Sequence, residues 1–227
     1  MSDSGLSGRL AGIRSVIAER QLVGGWSHPV RIVAVTKTHG PDAVRAAAMA
    51  GLDAVGENRV QEALEKQDAC TAVAIDWHLI GSLQRNKVRQ VAGRFALIHS
   101  VDRLDLAQEI ARRTGVEHQQ AILVQVNCSG EPQKGGVEPD ALEPLLAGMQ
   151  SLPSLALRGL MTMAAFSDDE SVQRRAFALL RTLRDQMVSR GFALPELSMG
   201  MSGDFPAAVE EGATMLRLGT VLYGARE

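Results

Sequence analysis

Only four lysines stand in a chain of 227 residues that carries 20 arginines, and one of them, Lys37, directly follows the apolar run Ile32-Val-Ala-Val-Thr36. Arginine keeps its proton in a protein whereas lysine can release it, so of the two only lysine serves as a nucleophile or imine former. A second set of residues suits an anion. Two late apolar runs end in Ser198-Met-Gly-Met-Ser-Gly-Asp204 and Leu216-Arg-Leu-Gly-Thr220, which supply Gly200, Ser202, Gly203, Gly219 and Thr220. Small residues let backbone N–H groups approach an anion, and hydroxyls add donors. Ser202 or Asp204 could equally be a plain helix cap, and either loop alone is weak. Arg217 lies inside the last run and needs an internal acceptor, because an unpaired buried guanidinium is costly.

Other polar residues read less sharply. Gly56-Glu57-Asn58-Arg59, followed by Gln61, is a polar cluster in which Asn58 is either a helix N-cap or a ligand contact. His78 stands within Trp77-His-Leu-Ile-Gly81 and reads as a core or wall residue more than a catalyst. Arg85, Lys87, Arg89 and Arg94 lack interleaved aromatics, so they read as a solvated face and not a nucleic-acid stripe.

These residues need elements to hold them. Apolar runs rich in β-branched residues predict strands over Arg31–Thr36, Asp53–Gly56, Asp76–Ile80, Ala96–Ser100, Ala121–Val126, Leu155–Met161, Glu196–Met199 and Met215–Leu218. Helical spacing occupies Asp42–Ala50, Val60–Lys66, Asn86–Ala92, Arg103–Thr114, Pro139–Gln150, Val172–Arg190 and Phe205–Glu211, with a leading helix over Ser7–Gln21. Strict strand–helix alternation means parallel strands, and eight units in a chain of this length suit a closed (β/α)8 TIM barrel. An open doubly wound sheet is the competitor, but no Gly-rich dinucleotide fingerprint follows the first strand. A barrel sets its site at the C-terminal strand ends, where Lys37 and both late loops fall. No linker tract divides residues 1–227, so one domain is expected.

Composition bounds the function. Aspartate and glutamate number 26 against 24 basic residues, which gives a net charge of -2 and no global field to hold a polyanion. Cys70 and Cys128 have no partner at metal-ligand spacing, and two thiols suit a reducing compartment without disulfides. The N-terminus has an acid where a signal peptide would be basic, and no apolar run reaches the roughly 18 residues of a membrane span. A cytoplasmic protein without nucleic acid, membrane or metal as partner is the expectation.

An imine-forming amine, an anion cup and an inward guanidinium together describe a pocket for pyridoxal 5'-phosphate. The aldehyde forms a Schiff base with Lys37, the phosphate rests on the two late loops, and Arg217 donates to the pyridine nitrogen. Six ordered motifs carry a resemblance as well: Ala34-Val-Thr-Lys37, Gly56-Glu-Asn-Arg-Val-Gln61, His78-Leu-Ile-Gly-Ser-Leu-Gln-Arg-Asn-Lys87, Gly159-Leu-Met-Thr-Met163, Ser198-Met-Gly-Met-Ser202 with Asp204, and Arg217-Leu-Gly219 with Tyr223-Gly224. From about Val30 to Gly224 the chain resembles the pyridoxal phosphate homeostasis protein family, whose members are relatives of the alanine racemase N-terminal barrel. The resemblance implies the cofactor on Lys37, with contacts at Asn58, Met201, Ser202, Arg217, Gly219 and Thr220. It implies a carrier or regulator of the cellular cofactor pool, serving apo enzymes, as a monomer or weak dimer. Thr36 and Tyr223 depart from the serine and phenylalanine frequent in that family.

A carrier must be weighed against an amino-acid racemase, which needs a base on each face of its substrate. Lys37 is one; the second in the racemase relatives is a tyrosine from an added β domain. Tyr223, the only tyrosine, follows the phosphate loop, so no second base is evident and no catalytic residue is assigned. A Schiff-base aldolase without the cofactor is the third reading, distinguished by a colourless protein.

Overall fold

The computed structural model describes residues 3–115, 118–167 and 169–224. Among them, eight parallel strands close into a barrel in sequence order. They are β1 (Arg31–Val35), β2 (Ala54–Glu57), β3 (Asp76–Leu79), β4 (Leu97–Val101), β5 (Gln120–Gln125), β6 (Leu155–Met161), β7 (Glu196–Ser198) and β8 (Met215–Leu218). The last strand returns to the first: Arg31 faces Met215 in register, and Val33 faces Arg217.

The strands alternate inside and out. Val33 joins Ala54, Leu97, Leu123, Met161 and Met215 in an inner cluster. Its neighbours Ile32 and Ala34 join the larger core that packs beneath the helices. That outer layer comprises α1 (Asp3–Gly24), α2 (Pro41–Met49), α3 (Val60–Ala69), α4 (Val88–Val91), α5 (Leu104–Thr114), α6 (Leu142–Gln150), α7 (Glu170–Ser189), α8 (Phe205–Glu210) and α9 (Thr220–Tyr223).

Several boundaries differ from expectation. The leading helix is longer than Ser7–Gln21, because Leu6, Leu10, Ile13 and Ile17 make a buried stripe that outweighs the low propensity of Gly8 and Gly12. The helix expected over Asn86–Ala92 is a tight turn at Arg85–Lys87 followed by the single turn of α4. Pro139 likewise opens a short turn before α6. Thr36 lies beyond the end of β1. The four residues of α9 were too few to show a period. Arg85, Lys87, Arg89 and Arg94 are exposed, as a solvated face requires.

Candidate functional site

β1 ends at Val35, and a turn delivers Lys37 to the C-terminal mouth of the barrel. Lys37 lines a cavity of about 260 Å3 together with Asn58, Met201, Ser202, Arg217, Gly219 and Thr220. All seven residues singled out in the sequence therefore meet at one place. Val35, Ile80, Met163 and Gly203 complete the wall. A larger recess of about 580 Å3 opens at the opposite end of the barrel. Arg31, which lines it, is paired with Asp53 and Asp76.

Two glycines set the frame. At Gly81 an added Cβ would lie 2.2 Å from the carbonyl oxygen of Asn58, so the loop after β3 can press against Asn58 only without a side chain. Gly200 has φ +93°, and an added Cβ would meet the Cβ of Ala208 at 2.7 Å. Its carbonyl accepts from the Arg217 N–H at 3.0 Å, which ties the loop after β7 to β8. Asn58 is not the helix cap: Arg59 takes that position on α3, without a side-chain capping bond.

The late loops are bound to each other through Ser202. Its Oγ accepts from the N–H groups of Gly219 and Val221, each at 3.2 Å, and so caps the start of α9 while its own hydrogen stays available. Asp204 does not cap α8 with its side chain; its carboxylate instead accepts from the Met201 N–H. Burial pushes that carboxyl above the usual range, against the lowering bond from Met201 and the charge of Arg217. Gly203 and Gly219 have no protein atom tight against a would-be Cβ, so a side chain there would fill the cavity itself.

Arg217 forms the floor. Nη1 donates to Ser198 Oγ at 2.8 Å and Nη2 to the Thr162 carbonyl at 2.9 Å, which supplies the internal acceptors it required. Burial lowers its pKa to about 10, opposed by Asp204, so it stays cationic at neutral pH. Behind it runs a buried polar chain: Ser198 Oγ lies 2.9 Å from His99 Nδ1, and His99 Nε2 lies 3.0 Å from His78 Nδ1. His78 Nε2 is buried with no partner among the described residues. Burial holds both imidazoles neutral, His78 at about 4 and His99 well below its ordinary value. His78 is thus a wall residue and lines no part of the cavity.

A second buried cluster was not read from the sequence. Lys66 Nζ donates to Glu57 Oε1 at 2.6 Å and to Glu62 Oε1 at 2.7 Å. Burial raises the Glu57 carboxyl despite bonds from Lys66 and Thr36. For Glu62 the burial penalty is outweighed by bonds from Lys66 and the Thr38 N–H, and its carboxyl is lowered. The available signal was the spacing of Glu62 and Lys66, one helical turn apart.

No group of three metal-ligating side chains occurs among the described residues, and no helix there is long and apolar enough to cross a membrane. Cys70 and Cys128 are free thiols.

The chain matches the family described as alanine racemase, N-terminal domain, over residues 19–227. The pyridoxal phosphate homeostasis protein of Aquifex aeolicus is 44% identical to it over 199 residues, which is 87% of each chain. That of Pseudomonas aeruginosa is 44% identical over 200 residues, covering 87% of this chain and 85% of its own. Among solved structures, PipY of Synechococcus elongatus with PLP bound superposes with a TM-score of 0.85 at 37% identity, over 96% of this chain and all of PipY. An alanine racemase of Clostridium difficile reaches 0.80 at 15% identity, over 98% of this chain and 60% of the racemase, which is a likeness of fold.

Proposed function

The chain belongs to the alanine racemase N-terminal domain family and, within it, to the pyridoxal phosphate homeostasis proteins, and from that premise we propose that it carries the cofactor on Lys37 without catalytic turnover. It binds pyridoxal 5'-phosphate, as its relative PipY does. The observation that carries the proposal is the convergence of amine, guanidinium and double loop on one cavity.

The donor set fits the group. Arg217 spends two N–H groups inside the barrel and keeps others for the cavity it lines, where a pyridine nitrogen would accept. The hydroxyls of Ser202 and Thr220, with the open space at Gly203 and Gly219, suit a phosphate. Asn58 and Met201 would flank the ring. When bound, the cofactor supplies an aldehyde that condenses with the Lys37 amine and releases one water.

Absence of turnover rests on the wall of the cavity. Besides the Lys37 amine, its described lining holds no carboxylate, imidazole, thiol or phenol, and the imidazole of His39 lies in a separate recess of about 30 Å3 beside Lys37. The Tyr223 hydroxyl donates to the Ala43 carbonyl at 3.1 Å, on the side of α2, and burial raises its pKa further. The chain would then act as one domain, a monomer or weak dimer in the cytoplasm, handing cofactor to apo enzymes.

Borohydride reduction of the loaded protein followed by peptide mapping tests the attachment. The label is expected on Lys37, and Lys37→Ala should abolish it while the protein still folds. A label on Lys66, Lys87 or Lys134 refutes the assignment. Deuterium exchange at Cα of free amino acids, followed over a wide protein concentration range, tests turnover. Rapid exchange that rises with dimer population would establish a racemase instead.

A further inference from the structure

Lys66 lies on α3 with a side chain only 5% exposed, yet it does not line the cavity. Its Nζ has three acceptors: the Thr36 carbonyl at 2.6 Å, Glu57 Oε1 at 2.6 Å and Glu62 Oε1 at 2.7 Å. An ammonium has one hydrogen for each of them, so the nitrogen keeps no lone pair for an aldehyde. A buried ionic cluster of this kind is weak as a source of stability, because desolvation offsets much of the attraction. Its placement suggests what it does instead.

The cluster grips the backbone on both sides of Lys37. Before it, Thr36 gives its carbonyl to Lys66 and donates its hydroxyl to Glu57 Oε1 at 2.5 Å. After it, the Thr38 N–H donates to Glu62 Oε1 at 2.6 Å, the same oxygen that takes Lys66. Thr38 has φ +66° and is the one non-glycine residue with positive φ among those described. A β-branched residue holds that conformation only where its surroundings enforce it. The turn is closed by the His39 N–H, which donates to the Thr36 carbonyl at 3.0 Å, and within it the Glu62 carboxylate, itself held by Lys66, takes the Thr38 N–H.

We propose that Lys66, with Glu57 and Glu62, is a positioning device for Lys37: it pins Thr36 and Thr38 so that the side chain between them leaves the strand end towards the cavity. The proposal rests on the reading that Lys37 carries the cofactor. It assigns Lys66 a positioning role and explains why the neighbouring lysine does not compete for the aldehyde.

The test uses the full chain and three variants. Lys66→Met keeps the length of the stem but removes every donor. Glu62→Ala removes the acceptor of the Thr38 N–H, whereas Glu62→Gln retains a carbonyl oxygen for it. Two quantities are read well below the thermal midpoint: amide exchange at Thr38 in cofactor-free protein, and the rate at which borohydride-trapped adduct accumulates on Lys37. Loss of the Thr38 N–H bond to Glu62, or of the Lys66 contact that fixes its acceptor, should speed Thr38 exchange about tenfold and slow the adduct by a similar factor in Glu62→Ala and Lys66→Met. Glu62→Gln should restore most of both.

Unchanged exchange and unchanged adduct rate overturn the proposal. So does a lowered thermal midpoint with a normal adduct rate, which is the signature of a merely structural cluster. If Lys66→Met fails to fold, the Glu62 pair decides alone, since that side chain is 24% exposed and its loss is tolerable. An adduct on another lysine in the unaltered protein sinks the Lys37 reading itself, whereas slow Thr38 exchange in every variant sinks the clamp.

Discussion

Arg217 and Ser198 are joined by a hydrogen bond of 2.8 Å that runs in one direction, because a guanidinium can only donate. The assignment that leaves a single atom unsatisfied has the Ser198 hydroxyl donating to His99 Nδ1 and the His99 Nε2–H donating to His78 Nδ1. The reverse arrangement would strand the serine hydrogen as well. Nitrogen-15 spectra at neutral pH should therefore show His99 protonated on Nε2. Ser198→Ala should lower unfolding stability by ~1–3 kcal/mol, the usual loss when a buried charged donor loses its acceptor. A shift of His99 to the Nδ1–H form in the unaltered protein would refute the chain's polarity.

The two histidines also set a pH dependence. Folded His78 stays neutral down to about 4, whereas an unfolded histidine takes up a proton near 6.5. Between those values the unfolded chain binds more protons, so stability falls as pH drops through that window and levels below it. The contribution is complete above pH 6.5 and amounts to about 3 kcal/mol when fully lost. The difference between the unaltered protein and His78→Phe in denaturant melts at pH 7.5 and pH 4.5 isolates it from the carboxylates. An equal difference at both pH values contradicts the account.

Ser202 and Thr220 should separate by magnitude. Under the proposed function each hydroxyl faces the phosphate, so Ser202→Ala and Thr220→Val should each weaken retention of the phosphorylated cofactor by ~1–3 kcal/mol. Ser202 also holds the N–H groups of Gly219 and Val221, so its loss should be the greater. Pyridoxal without its phosphate should be nearly indifferent to both changes, read by equilibrium binding. Equal losses for the two ligands would place these hydroxyls elsewhere.

Gly81→Ala should push Asn58 out of the cavity wall, since its Cβ would meet the Asn58 backbone at 2.2 Å. Backbone cannot yield as a side-chain tip can. Retention of cofactor should fall, and stability should fall by ~1–3 kcal/mol as expected of overpacking. Unimpaired binding by a stable Gly81→Ala protein would show that the position of Asn58 is immaterial.

The barrel was legible because most strands are short apolar runs that give way to polar or small residues. Boundaries fell within a residue or two for β1, β6 and β8. Lys37 and the late loops were legible for the same reason: they stand where the apolar signal stops. The Lys66 cluster was not, because charged residues on a helix ordinarily face water, and nothing in the order of letters says that Glu57 on β2 turns to meet them. Asn58 misled in the opposite sense. Its type suits a cap, but the helix starts one residue later, and only the fold shows that.

The seam between β1 and β8 has a consequence for how the protein comes into being. A ribosome delivers Lys37 180 residues before Arg217, with Gly219 and Thr220 just after it. Until the final strand docks against the first, Lys37 stands without Arg217, Gly219 and Thr220 beside it. Closing so long a loop is opposed by chain entropy. The cavity is therefore complete only once β8 has been made and the ring has shut, and a chain cut short before β8 lacks Arg217, Gly219 and Thr220 from its wall.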